Sequence, residues 1–472
     1  MTFSVLSQQV RWRQPEMLSA GVDQSRLVIA DAPTASESFS FLVMGDTDAG
    51  IEAGIEEKGS AFAEGFANQL LRQLGESRFV LHTGDVTYPM GSYENYLNGF
   101  LSPYRRLLKQ LPSSAAYRAT SVVFERPVLP VPGNHDYASV GFGLWQRLLQ
   151  QLCDRLRESF NIDWGHYGGP GGEAYGQTFL DDLAGLTPEQ LSQHLKRHYS
   201  AAAGTARVGP AAALAYCLNY QPGQFTRLPN RYYRFRYGGI DFFALDSNTW
   251  KTAPDVEGFD HAQLAWLEQG LVESVQDSSV GGRIVYLHHS PYTTETSRWQ
   301  EPETLWVRRH LRGVLAAVGA KTGARVGRSP QQPIVDLVIS GHAHCLEHLK
   351  TLETGQGDAQ MDWVVCGGSG ASLRPQRRDA DVEILENITY GQRIFTEKVA
   401  ASCFFAGRHG KGSKKQNQYS FLKINICPDR TNMISVVPFM VERQNGQWAT
   451  RMLNALNVGA DQGIKKIREV VP

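Results

Sequence analysis

Five short apolar runs in this chain each stop at a turn that carries Asp, Asn or His, and this recurrence constrains the fold more than any other feature. They are Phe41-Leu42-Val43-Met44 before Gly45-Asp46-Thr47-Asp48; Phe79-Val80-Leu81 before Gly84-Asp85; and Val128-Leu129-Pro130-Val131 before Gly133-Asn134-His135-Asp136. Two more follow: Ile284-Val285-Tyr286-Leu287 before His288-His289, and Val335-Asp336-Leu337-Val338-Ile339 before Gly341-His342-Ala343-His344. A short continuous apolar run reads as a buried strand, and glycine lets the chain bend sharply where the strand stops. Open α/β folds bind ligands where strand ends meet, so the five turns are expected to converge on one edge of a sheet. What converges is oxygen and imidazole, the material of a metal site.

Between the runs the pattern alternates helix and strand. Residues 61–74 place Phe62, Phe66, Leu70, Leu71 and Leu74 at helical spacing, and a strand follows at Phe79. That rhythm predicts an α/β layered domain. Residues 1–38 read as an irregular N-terminal extension ending in Pro33-Thr34-Ala35-Ser36. The main domain then runs over 39–445, leaving 446–472 as a C-terminal tail. A stretch at about 138–230 breaks the rhythm and is too long for a plain loop. It reads as an inserted subdomain beside the third turn, with a helix over 144–160, a glycine-rich loop over 165–176, and a second helix starting at Thr187-Pro188-Glu189. Two apolar runs around Gly238-Gly239 predict a hairpin, and helices are expected over 261–272 and 304–318. Strands after the fifth motif, at 363–366, 419–426 and 433–441, suggest a second sheet stacked on the first.

Composition narrows the function classes. Lys plus Arg equals Asp plus Glu at 47 each, which gives no global pull towards nucleic acid or an anionic membrane. The basic run at 408–415 reads as a solvated loop. No apolar stretch reaches the ~18 residues expected of a membrane helix, and the first residues lack the basic start and apolar core of a secretory signal. The six cysteines are scattered without CxxC spacing, which fits a reduced cytoplasmic setting.

Taken together, the motifs Gly45-Asp46, Gly84-Asp85, Gly133-Asn134-His135-Asp136, His288-His289 and Gly341-His342-Ala343-His344 resemble the calcineurin-like metallophosphoesterase superfamily. The segment Phe242-Phe243-Ala244-Leu245-Asp246-Ser247-Asn248 is similar to that family as well. The resemblance implies a four-layer αββα sandwich of two mixed sheets flanked by helices. It implies a pair of divalent or trivalent metal ions, Mn, Fe, Zn or Mg, with Asp85 bridging them. Asp46 and His344 would hold the first ion, and Asn134, His342 and one histidine of the fourth motif the second. Two ions about 3.5–4 Å apart clamp the attacking and leaving oxygens at phosphorus and lower the pKa of the water between them. By the same resemblance His135 lies beside the phosphate as charge stabiliser or acid, with Asp136 orienting it.

Two positions leave alternatives. Many relatives carry His where this chain has Asp48, and a carboxylate there favours harder ions. Purple acid phosphatases instead place a Tyr three residues after the bridging Asp, and Tyr88 stands at that spacing. The fourth ligand of the first ion is therefore Asp48 or Tyr88. In the fourth motif strand alternation turns only one of His288 and His289 towards the site. The expected activity is hydrolysis of a phosphorylated small molecule or protein, with phosphomonoesterase first. A phosphodiesterase or nuclease of the same superfamily is second, and a non-catalytic metal-binding scaffold is the alternative from another class. Neither a membrane nor nucleic acid is the favoured partner. A visible charge-transfer band in the iron-loaded protein, lost in Tyr88→Phe, is the outcome expected if the phenol is the ligand; an unchanged spectrum assigns the position to Asp48.

Overall fold

The structure, a computed structural model, describes residues 10–47, 56–113, 117, 121–137, 172–201, 216–323, 333–370, 372–377, 382–390, 393–410, 416–428, 433–444 and 447–459. The helix expected over 144–160 and most of the glycine-rich loop lie outside them. The first half of the chain supplies strands β1 (Val22–Ile29), β2 (Phe39–Met44), β3 (Val80–His82), β4 (Val128–Pro130), β5 (Tyr199–Ala201) and β6 (Tyr216–Tyr220). Next come β7 (Tyr233–Tyr237), β8 (Ile240–Ala244), β9 (Gly282–Leu287), β10 (Leu337–Ser340), β11 (Leu346–Thr351) and β12 (Asp362–Cys366). The remainder are β13 (Glu383–Tyr390), β14 (Arg393–Ala406), β15 (Arg408–His409), β16 (Gln416–Asn417), β17 (Tyr419–Ile426), β18 (Ile434–Gln444) and β19 (Gln447–Met452).

These strands form two large mixed sheets and one small ribbon. The six-stranded sheet runs β19-β18-β17-β2-β3-β4, and the eleven-stranded sheet runs β13-β14-β11-β12-β10-β9-β8-β7-β1-β6-β5. The five motif strands are therefore divided, contrary to the expectation of one sheet edge. β2, β3 and β4 pair in parallel in the smaller sheet, and β9 and β10 pair in parallel in the larger. The C-terminal strands do not make a second sheet of their own either. β17 joins β2 antiparallel, while β12 joins β10. Register in each case follows backbone pairing partners distant in sequence, which hydrophobic pattern does not specify.

The N-terminal segment also departs from its reading. Residues 22–29 form a strand inserted in parallel between β6 and β7. Its burial alternates only in part, with Val22, Leu27 and Ile29 buried beside the polar Gln24 and Ser25, so the apolar signal is weak. The described parts of the insertion contribute β5 and β6 to the same sheet.

The sheets pack face to face on an aromatic seam. Phe79, fully buried, stacks on Phe41 at 4.8 Å and meets Phe235, Tyr237 and Phe242 of the opposite sheet at 5.9, 5.1 and 5.6 Å. Period-two alternation then sends successive residues of the larger sheet to different cores. Phe242, Ile284, Tyr286 and Ile339 face the seam, whereas Phe243, Val285, Leu287 and Val338 pack with the helices behind. Burial on both faces is why β8, β9 and β10 read as unbroken apolar runs.

Helix α1 (Pro15–Ser19) precedes β1, and α2 (Glu56–Arg72) covers the smaller sheet through Phe66 against Phe421. In the insertion lie α3 (Glu173–Phe179) and α4 (Pro188–His198). The start expected for α4 carries a capping box: Thr187 Oγ1 accepts from Gln190 N, and Gln190 Oε1 accepts from Thr187 N. Behind the larger sheet run α5 (His261–Gln276) and α6 (Pro302–Thr322), whose Leu267, Leu271, Val307, Leu311 and Leu315 are buried. The result is helix, sheet, sheet, helix. No helix among the described residues is long and apolar enough to cross a membrane. Phe79→Ala removes the ring shared by both sheets and is expected to lower unfolding free energy by about 3–5 kcal/mol, measured by urea denaturation.

Candidate metal centre

The C-terminal ends of β2, β3, β4, β9 and β10 meet where the two sheets face each other, and the turns there are crowded. A Cβ on Gly133 would lie 2.1 Å from Asp85 Oδ1, and one on Gly341 would lie 2.5 Å from Asp46 Oδ2. Glycine in these motifs thus permits one loop to touch the carboxylate of another. The backbone is bent hard as well. Asp46, Asp85 and His342 adopt left-handed φ values of 55°, 49° and 66°, each at a cost of about 1–3 kcal/mol for a residue with a side chain. Three of the few left-handed non-glycine residues among those described are motif residues at strand ends.

One group of donors gathers around Tyr88. Its hydroxyl lies 3.0 Å from Asp46 Oδ1, 3.0 Å from Asp85 Oδ2 and 3.3 Å from His344 Nε2. Asp85 belongs to a second group too. Its Oδ2 is 3.3 Å from His288 Nε2, which is 3.1 Å from Asn134 Oδ1 and 3.2 Å from His342 Nδ1. The backbone holds both carboxylates: His342 N donates to Asp46 at 3.0 Å, and His135 N to Asp85 at 2.8 Å.

The far nitrogen of each histidine faces an acceptor. His288 Nδ1 donates to Thr83 O at 2.9 Å, His344 Nδ1 to Ser372 O at 2.8 Å, and His342 Nε2 to Glu301 Oε2 at 2.9 Å. These acceptors assign the ring protons to the outer nitrogens and leave lone pairs on the inner ones. The inner set of His288 Nε2, His342 Nδ1, Asn134 Oδ1 and Asp85 Oδ2 is then all acceptor, an arrangement a cation satisfies. Oxygen and imidazole ligands suit Mn, Fe, Mg and Zn. The residues present therefore fit the metal pair that the motifs imply.

The two carboxylates respond differently: burial raises the Asp46 carboxyl well above its ordinary range, opposed by His288 and reinforced by Asp85. Burial opposes a charge on His288, yet the Asp85 and Asp46 carboxylates push it up to about 9. Burial would raise Asp85, but His288 and His135 hold it well below the usual carboxylate range. Burial together with Asp46 and Asp85 keeps the Tyr88 phenol protonated far above its ordinary range. Burial, with Arg374 and Arg298 nearby, lowers His344 to about 3, leaving it a neutral donor.

Asp46, Asp85, Tyr88, Asn134, His135, His288, His342 and His344 are thus brought together. Asp48 lies outside the described residues. His289 points the other way from His288, as neighbours at a strand end do. Its Nδ1 meets Ser247 Oγ at 2.8 Å, and its Nε2 lies 3.3 Å from Glu303 Oε2, without hydrogen-bond geometry. Asp136 does not orient His135 as expected. Its oxygens accept from Gly133 N at 2.8 Å, Val86 N at 3.1 Å and Tyr96 Oη at 2.6 Å, tying the second turn to the third. Pro89 O takes His135 Nδ1 instead, at 2.8 Å. The two residues share one helical turn, Asn134–Tyr137, where successive side chains diverge by about 100°. His82 is a packed core residue, holding Thr47 Oγ1 at 2.9 Å. The sequence reading missed Thr83, Pro89, Ser372 and Glu301. The first three act through backbone carbonyls, which leave no side-chain signature, and Glu301 precedes a proline as any helix start can.

Residues 39–346 match the family model of the calcineurin-like phosphoesterases. The chain belongs to that family. The family is described as one of phosphoesterases, and the donor set of Asp85, His288 and His342 is one that could hold a metal ion. No curated protein matches the sequence. Among solved structures, a purple acid phosphatase from yellow lupin (Lupinus luteus) seeds is 14% identical with a TM-score of 0.45, covering 90% of this chain and 56% of that one. The structure of PhoD is 10% identical with a TM-score of 0.42, over 90% of this chain and 70% of that one. GAP50, the anchor in the inner membrane complex of Plasmodium, is 15% identical with a TM-score of 0.40, over 89% and 90%. With TM-scores under 0.5, none of them bears on the chemistry of this chain.

Gly133→Ala drives a methyl into Asp85 and is expected to abolish metal uptake while the chain still folds. Gly185→Ala, where a Cβ meets nothing within 4 Å, leaves uptake unchanged. Metal analysis beside circular dichroism checks both.

Proposed function

We propose that this family member is a phosphomonoesterase with a dinuclear centre. The observation that carries the reading is the Tyr88 hydroxyl, 3.0 Å from both the Asp46 and Asp85 carboxylates. That is the position a phenolate ligand needs, and the spacing of Tyr88 from Asp85 resembles the purple acid phosphatases. In this reading Asp46, Tyr88 and His344 would hold the first metal. Asn134, His288 and His342 would hold the second, and Asp85, which reaches both groups, would be shared. His289, turned towards Ser247 and Glu303, supports the site from behind.

When bound, the metal pair supplies Lewis acidity towards the phosphoryl oxygens and a water of lowered pKa. The chain's own residues do the rest. His135 is 7% exposed, and its Nε2 is 3.9 Å from Asp85 Oδ2. The Pro89 carbonyl fixes the ring proton on Nδ1 and leaves a lone pair on Nε2, so Nε2 accepts the proton that a monoanionic phosphate ester brings and passes it to the leaving oxygen. Burial lowers its pKa, opposed by Asp85, and the ring is neutral before substrate arrives. Asp136 keeps His135 in reach indirectly, by holding the backbone of the second and third turns together. The substrate is a phosphorylated small molecule or a phosphorylated protein side chain.

Chelator-stripped protein reloaded separately with Mn, Fe, Mg and Zn should hydrolyse p-nitrophenyl phosphate faster than bis-p-nitrophenyl phosphate. Preference for the diester would replace the monoesterase reading with a phosphodiesterase one. Hydrolysis of neither ester with any of the four metals would favour a scaffold.

A further inference from the structure

The start of α6 carries a feature that none of the five motifs contains. Glu301 occupies the N-cap position, with φ −61° and ψ 132°, yet its side chain makes no capping hydrogen bond. A carboxylate there ordinarily turns back onto the first free N–H groups of the helix. This one turns into the site. Its Oε2 accepts from His342 Nε2 at 2.9 Å, and its Oε1 pairs with Arg298. Arg298 and His342 are buried and Glu301 is partly so, with side-chain exposures of 6%, 3% and 13%.

A neighbouring pair repeats the pattern. Glu303 places Oε2 3.3 Å from His289 Nε2, and Lys251 Nζ lies 2.9 Å from its other oxygen. The first turn of α6 thus brings two carboxylates, each backed by a cation, against two adjacent imidazoles whose ring centroids are 4.5 Å apart. Only one of those imidazoles turns its other nitrogen to the donor group. His342 Nδ1 is 3.2 Å from His288 Nε2. The opposite tautomer of His342 would put an N–H there, aimed at the place where a lone pair is needed.

We propose that Glu301 is a positioning residue for the second metal site. It acts through His342, holding the proton on Nε2 and the ring in one direction, so that the Nδ1 lone pair joins Asn134, His288 and Asp85. Arg298 pairs with the other oxygen and keeps the carboxylate pointed at the ring. The inference rests on the reading of His342 as a ligand. A hydrogen-bonded partner behind a metal-binding histidine typically changes affinity by about 10–100-fold.

The test is titration of chelator-stripped protein with Mn(II) alone, following stoichiometry and affinity by calorimetry. Wild type should take up two ions per chain. Glu301→Ala should weaken one of the two by about 10–100-fold and leave the other unchanged. Glu301→Gln, whose amide oxygen still accepts the N–H but lacks the charge, should fall between them. His342→Ala should lose the same ion. A loss confined to one ion separates positioning from general destabilisation, which would weaken both. If Glu301→Ala does not fold, Glu301→Gln decides by the same selective weakening. Wild-type affinity for both ions in the Glu301 variants, with one ion lost in His342→Ala, would overturn the positioning role and leave the metal reading standing. Two ions bound by His342→Ala would overturn both.

Discussion

Two carboxylates, Asp46 and Asp85, lie almost out of reach of water at the junction of two sheets, and the rest of the site answers to that fact. An ionised carboxylate in the interior costs several kcal/mol unless charges and hydrogen bonds surround it. Here the surroundings are supplied by loops from every motif. Backbone N–H groups of His135 and His342 donate to them, the Tyr88 phenol spans them, and His288 stands beside them. Glycine at 133 and 341 is what lets the loops come so near. The left-handed backbone of Asp46, Asp85 and His342 is a strain the neighbouring contacts hold in place.

The division of strands between two sheets explains why the site is deep. β2, β3 and β4 bring Asp46, Asp85 and Asn134 from one side, and β9 and β10 bring His288 and His342 from the other. The aromatic seam of Phe41, Phe79 and Phe242 fixes how the sheets lie on each other. A shift of one sheet over the other would separate the carboxylates from the imidazoles, so core packing and site geometry are one problem. The histidine protons belong to it too. Their acceptors come from Thr83, Ser372 and Glu301, contributed by separate parts of the chain.

What was legible in sequence was local. An apolar run, a glycine and a polar turn all fall within a few residues, as do the helix start at Thr187-Pro188-Glu189 and the hairpin at Gly238-Gly239. The strand Val22–Ile29 was not legible, because Gln24 and Ser25 are buried polar residues, hydrogen-bonded to Val10 and Asp23, and blur the alternation. Asp136 next to His135 suggested a pair, yet the helical turn sends the two side chains to different partners. Of His288 and His289 only the first faces the carboxylates, because the two leave the strand end on opposite sides.

The sequence by itself determined the donor set and the strand ends that carry it, since bend, apolar run and ligand type are written within each motif. It also determined the family. Only the tertiary structure decided which sheet each strand joins, which of two histidines faces the carboxylates, and which atoms hold the ring protons. Those choices depend on pairings between residues tens to hundreds of positions apart, such as Glu301 with His342 or Asp46 with the backbone of His342. Periodicity and motif spacing carry no record of such pairings, because they are settled by packing energy across the whole sandwich.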